Sequence, residues 1–347
     1  MSCPFGPAAD NARVRPGWSL SPHSGSGRTL LHVTVLSSPH LPRIARPGAL
    51  LLAIALGLST FAVGCADDAE SPASTEGTEP LGIGKEVTVP ISVAAAALVS
   101  PGAEPRAVLR PTFAPGTEQR VTLHTEHHIE QQINDQPPRD FSTPALTIPM
   151  TALAGTGGVD LTLGEVTSPD PMLSEALTAA GGSQAGLDFS DEGAITALRL
   201  APDPDTPNAA RAALENAFYQ AVYRSIMFPE EAVGEGAVWT VHQEVTGGVT
   251  LDQVTTATLT KREGDRLTIE LTVEQTPKSS SWALPNDTGT LSIEDYLMEG
   301  NGTITFDLGL PLPVAGSITV GGHQVYRDPR SVSLLSQSIV TQVSWAE

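Results

Sequence analysis

Cysteine is nearly absent from this chain: 347 residues carry two, Cys3 and Cys65. A disulfide framework and a thiolate metal site are therefore excluded from any fold formed downstream of Cys65. Aromatic residues make up only 5%, so a core has to come from Val, Leu, Ile and Ala. Basic residues are also few, with 19 Lys and Arg against 39 Asp and Glu and a formal net charge of −20. No basic stripe is present to displace counterions from phosphates, which excludes nucleic acid as a partner. The same charge repels anionic head groups, so electrostatics give no hold on a membrane surface. Catalytic signatures are missing too. There is no Gly-x-Ser-x-Gly elbow and no His-Glu-x-x-His. Gly155-Thr-Gly-Gly158 lacks the Lys-Ser/Thr of a phosphate loop and has the composition of a turn between strands. The expectation is a non-enzymatic protein with no cofactor.

One apolar run stands out, from Ala49 to Gly64. It falls short of the ~20 residues that span a bilayer comfortably. Arg43 and Arg46 precede it, Cys65 closes it, and Asp67, Asp68 and a Ser/Thr/Glu/Pro stretch follow. A basic start, a short apolar middle and small residues at the end mark an export signal. The layout resembles a bacterial lipoprotein signal, with Ala62 where that pattern usually has Leu. The resemblance implies cleavage before Cys65, lipidation (palmitate among the chains) of that cysteine, and a place in the bacterial cell envelope facing outside the cytoplasm. On this reading residues 1–48 are a mis-called or unstructured extension, 49–64 the signal's apolar region, 65–85 the lipidated cysteine and a disordered tether, and 86–347 the folded domain. Removing residues 1–64 leaves 14 basic and 38 acidic residues, net −24. One acyl chain binds a bilayer only marginally, at ~0.8 kcal/mol per buried methylene, so a lasting anchor needs two or three.

Downstream, residues alternate between apolar and polar at period two. In Gln119–Ile133 the odd positions Val121, Leu123, Ile129 and Ile133 are apolar, whereas every even position is polar. That is the pattern of a half-buried antiparallel strand. Similar runs occur from Glu86, over Ala145–Leu153, Val159–Val166, Ala194–Leu200, Ala237–Val245, Val249–Lys261, Arg266–Gln275, Gly289–Leu291, Gly302–Asp307, Ser317–Val320 and Val332–Trp345. Arg262-Glu-Gly-Asp265 supplies a hairpin turn. Two helices interrupt the strands. Asp170-Pro171 opens a short one that Gly181-Gly182 closes. The second has Thr206 as N-cap, Pro207 at its first position and Pro229 as its stop. Its apolar stripe is Leu214, Phe218, Val222 and Ile226. The expected class is α+β, mostly antiparallel β: a curved sheet or partly open β-barrel packed around one long helix.

The segment Phe228-Pro-Glu-Glu-Ala-Val-Gly-Glu-Gly-Ala-Val-Trp239, the Gly-Asp hairpin and Gly300-Asn-Gly302-Thr-Ile-Thr-Phe-Asp307 together resemble a family of uncharacterised bacterial lipoproteins with a curved antiparallel β domain. The likeness covers roughly Thr117 to Val343 and implies architecture alone. The layout is also similar to half-barrel lipoproteins that carry lipids or lipoproteins across the envelope, where a curved sheet wraps a helix over an apolar cavity. That similarity rests on layout, which is weak evidence of function.

The candidate sites follow from these patterns. Leu214, Phe218, Val222 and Ile226 are expected to form one wall of a ligand cavity. Trp282, in the polar run Ser279-Ser-Ser-Trp-Ala-Leu-Pro-Asn286, is expected to contact a partner or cover the cavity. His124, Glu126 and His128 share a strand face, but residues two apart on a face lie ~7 Å apart. His124 and His128 are therefore weak metal candidates unless His242 or His323 joins them. Asp188, Asp191, Glu192, Asp203 and Asp205 lack the spacing of a calcium loop. The expected partners are a membrane through lipid on Cys65, a lipid or other apolar ligand, and an envelope protein. The alternatives are a structural or interaction lipoprotein with a filled core and, least supported, a metal-dependent hydrolase. A cavity of ~300 Å³ or more against the second helix separates the first reading from the second.

Overall fold

The computed structural model describes residues 86–190, 193–284 and 289–347. The expected extension, signal, tether and Cys65 lie outside the described residues, as do Asp191 and Glu192.

The chain runs through β1 (Val87–Pro90), β2 (Ala95–Ser100), β3 (Glu118–Ile133), β4 (Arg139–Asp140), β5 (Thr143–Ala154) and β6 (Gly158–Leu163). Helix α1 (Pro171–Leu177) and a 3-10 turn (Thr178–Ala180) lead to β7 (Gln184–Phe189), β8 (Ile195–Ala201) and helix α2 (Asn208–Val222). The rest is β9 (Val238–Val245), β10 (Leu251–Glu263), β11 (Arg266–Pro277), β12 (Ser281–Ala283), β13 (Thr290–Asp307), β14 (Ala315–Arg327) and β15 (Leu334–Ala346). All belong to one 15-stranded sheet, ordered β1-β8-β7-β6-β5-β3-β15-β14-β13-β11-β10-β9-β2, with β12 on β13 and β4 on β3. Every ladder is antiparallel.

The antiparallel sheet matches the period-two reading, and it is open: among the described residues no ladder joins its end strands, β1 and β2. Its two ends are nonetheless held close. β1 pairs with β8 and β2 with β9, yet only residues 91–94 separate β1 from β2. Five residue steps span at most roughly 17 Å. Ile91 N–H donates to Thr196 O on the β8 side, and Gln243 Nε2 on β9 donates to Ser92 O. One extended stretch, Val87–Ser100, is thus a strap whose first half lines one sheet edge and whose second half lines the other. The seam lies between.

β13 and β14 approach each other most closely at glycines. A Cβ on Gly302 would sit 2.3 Å from Ser317 O, and one on Gly322 would sit 1.8 Å from Leu297 O. Only glycine permits that approach, and glycines in strands are where a sheet bends.

Two apolar clusters form the core. One packs α2, through residues including Leu214, Ala217 and Phe218, against β3 and β5–β8. The other lies on β9–β14 around Trp239, Leu259, Ile269 and Ile304. Further along the same strands, the positions of the same parity turn polar. Gln243, Gln253 and Gln275 face one another in register on β9, β10 and β11. Gln324, Gln337 and Gln131 do the same on β14, β15 and β3. All six are buried.

The structure corrects several helix expectations. α2 has 15 residues and α1 seven, so helix is a minor component and one long helix is not supported. Asp170 caps α1 as expected, its Oδ1 accepting from Leu173 N–H at 2.8 Å. Thr206 does not cap α2. Pro207 occupies that position without a side-chain bond, and Thr206 Oγ1 donates to Ala179 O instead. α2 ends at Val222, well before Pro229, so Ile226 is not on the helix. The expected strand Gly302–Asp307, and Gly289–Leu291 apart from Gly289, fall within one 18-residue strand, β13.

Candidate functional site

A cavity of about 390 Å³ lies between the two apolar clusters, at the seam. Each seam element contributes to its lining: Ala94 from the strap, Ile195 from β8 and Gln243 from β9. Phe218, Ala221 and Val222 form the wall given by the last turn of α2, and Ile226, Met227 and Phe228 continue it after the helix ends. Phe228 packs edge-on to Phe306 at 5.6 Å between ring centres and tilted against Trp239 at 6.4 Å. The β13–β14 loop, from Asp307 to Pro313, closes another side, anchored where Leu312 N–H donates to Gln119 Oε1 at 2.9 Å. Gly155–Gly158, the turn between β5 and β6, reaches the lining as well.

The volume falls within the ~300–1,000 Å³ of small-molecule sites, which are mostly apolar with a few placed polar groups. Here the charged groups are Arg110 and Arg224, with Asp307 in the loop. Arg110 is exposed, whereas Arg224 is reached only in part. Arg224 Nη1 donates to Gln253 Oε1 at 2.9 Å and to Tyr223 O at 3.3 Å, while its buried Nε has no partner. Burial pulls the guanidinium down to about 10, with no carboxylate offsetting it. Gln253 is held in turn: its Nε2 donates to Tyr223 O, and its Oε1 accepts from Gln275 Nε2 at 2.9 Å. The glutamine row on β9–β11 thus ends on the cavity's arginine.

The expected site residues separate into three groups. Phe218, Val222 and Ile226 line the cavity, and Leu214 is buried in the α2 core without reaching it. Trp282 is a correction. It is 2% exposed on β12, packed 5.1 Å from Tyr326 and over Gly248, away from the cavity lining. Its polar neighbours in sequence hid a short strand that pairs with β13 and turns the indole inward. His124 and His128 gather around Glu126. His124 Nε2 lies 3.0 Å from Glu126 Oε1, and His128 Nε2 lies 3.6 Å from Glu126 Oε2. These contacts hold the Glu126 carboxyl below the usual range, the His124 hydrogen bond contributing most. His323 pairs instead with Asp295 at 2.9 Å, and His242 is exposed on β9. Among the described residues no group of three His, Cys, Asp or Glu side chains is within metal-binding range. Asp188 is taken up by Arg199 at 2.9 Å, and Asp203 Oδ1 accepts from Asp205 N–H.

Arg224, Phe228 and Phe306 escaped the sequence reading. The available signal for Arg224 was a lone charge inside the otherwise apolar Ala221-Val-Tyr-Arg-Ser-Ile-Met-Phe228. In comparisons with protein-family models, with curated proteins and with solved structures, nothing matches this chain.

Proposed function

We propose that this protein is a non-enzymatic binding protein of the bacterial cell envelope, tethered by lipid on Cys65, whose curved β domain holds an apolar ligand beside α2. The observation that carries the reading is the seam cavity of about 390 Å³ walled by Phe218, Val222, Ile226 and Phe228. A filled-core structural lipoprotein has no use for such a space, because apolar interiors close to crystal-like density when nothing else occupies them. The half-barrel plan supports the same reading: a sheet that curls around α2 without closing leaves a route to its interior. The lipid anchor rests on the sequence from Arg43 to Asp68 and on the acidity of the chain, which leaves lipid as the means of holding a membrane.

Native mass spectrometry of protein purified from bacterial envelopes tests both parts. The expected result is a chain beginning at a Cys65 that carries acyl mass, with a co-purifying small apolar molecule. A protein repeatedly free of any bound molecule counts against the ligand, and an unmodified Cys65 counts against the anchor.

A further inference from the structure

From Arg224 at the seam cavity we infer that the ligand is a single-chain amphiphile with an acidic head, its carboxylate paired with that guanidinium and its acyl chain lying along Phe218, Val222, Phe228 and Phe306. The inference rests on the apolar-ligand reading and narrows it. In a chain with twice as many acids as bases, a sequestered arginine should have found a carboxylate easily. Arg199, on the outer face, has two: Asp160 at 2.7 Å and Asp188 at 2.9 Å. Arg224 has none within ion-pair distance among the described residues. It is held by the neutral acceptors Gln253 Oε1 and Tyr223 O, and its Nε lacks any partner.

A half-buried cation without a counter-charge carries a desolvation cost, and its retention is explained if an anion completes it. Asp307 lines the same cavity, but its Oδ1 accepts from Gly309 N–H at 2.9 Å within its own loop and makes no ion pair with Arg224. The glutamine scaffold behind Arg224 fixes the fork in place: Gln253 is itself held by Gln275. With Nη1 taken by Gln253 and Tyr223 and Nε buried, Nη2 is the donor left for a carboxylate oxygen. Arg110, the other cation of the lining, is exposed to solvent, whereas Arg224 stands against the apolar walls, which fit a tail. The ligand therefore has one charged end and one long apolar end.

The test compares dodecanoate with dodecanol, equal in chain length and differing in charge, by calorimetric titration into the full-length purified protein. The expected result is tighter binding of dodecanoate by about ten-fold or more, with the preference persisting at high salt because the pair is shielded from bulk ions. Arg224→Met keeps the volume and removes the charge. It is expected to abolish the preference, dodecanoate falling to the affinity of dodecanol, whereas Arg199→Gln, outside the cavity lining, is expected to retain it. Circular dichroism verifies that both variants are folded, and the wild-type comparison stands without them. Equal affinity of the wild type for the two ligands overturns the acidic-head inference and leaves the apolar-ligand reading standing. Failure of both ligands to bind overturns that reading as well.

Discussion

The buried face of this sheet has two halves built on the same strands. Toward the β10–β11 hairpin it carries Leu259, Leu267, Ile269 and Trp239, packed with almost no exposure. Toward the other end of those strands, the same inward parity carries Gln243, Gln253 and Gln275. Backbone geometry is shared, so the difference lies in the side chains. The apolar half stabilises by burial, ~25 cal/mol per Å² removed from water. The glutamine half gains little net energy from its hydrogen bonds, but an amide left unpaired there costs ~1–3 kcal/mol. One half holds the fold together, and the other holds Arg224 in position beside the cavity.

That contrast can be broken from either side. Trp239→Ala empties the apolar half, where the indole is fully buried and its Nε1 donates to Met227 O at 2.9 Å. The expected loss is about 3–5 kcal/mol in urea-induced unfolding. Gln253→Leu acts on the polar half by removing the acceptor of both Arg224 and Gln275. About 1–3 kcal/mol is expected to go, measured the same way. An equal or larger loss than for Trp239→Ala would erase the distinction between the halves.

Acid sharpens the comparison further. His127, on β3, donates or accepts with Thr341 Oγ1 at 2.7 Å. Burial holds its pKa below the ordinary 6.5, and repulsion from His128 and Arg224 adds to this. As pH falls from 6.5 toward the lower folded value, the unfolded chain takes up a proton that the folded chain refuses. Stability therefore declines through that window and is fully restored above it. His127→Gln is expected to flatten this part of the stability–pH profile. The smallest effect belongs to the opposite face. Arg199→Ala removes two ion pairs at a partly exposed side chain, for a thermal destabilisation worth less than about 1 kcal/mol.

Most of the sheet was legible because alternation is a local signal, and β3, β9, β10, β11 and β15 lie close to where period two places them. The exceptions have physical reasons. β2 is Ala-Ala-Ala-Leu-Val-Ser, which has no polar alternation, and β7 contains Gly186, over which Arg199 lies. β12 owes its existence to pairing with β13, not to its own composition. The seam was illegible because it depends on one strap pairing with edges about a hundred and a hundred and fifty residues away, and no local pattern reports such distances. Of the site, the apolar wall Phe218 and Val222 was visible as a helical stripe. Arg224 was not, because it begins where the helix ends and the stripe loses its period.

The most direct measurement of the central claim, that the seam cavity holds an apolar ligand, is fluorescence titration with aminoanthracene, an apolar probe that brightens on leaving water. Ala94→Trp places a large side chain in the cavity from the strap, on a residue that lines it and is not in either core cluster's buried set. The account predicts a saturable rise for the wild-type protein that is lost in the folded Ala94→Trp variant. No rise with the wild type, or a rise that Ala94→Trp leaves intact, would contradict it.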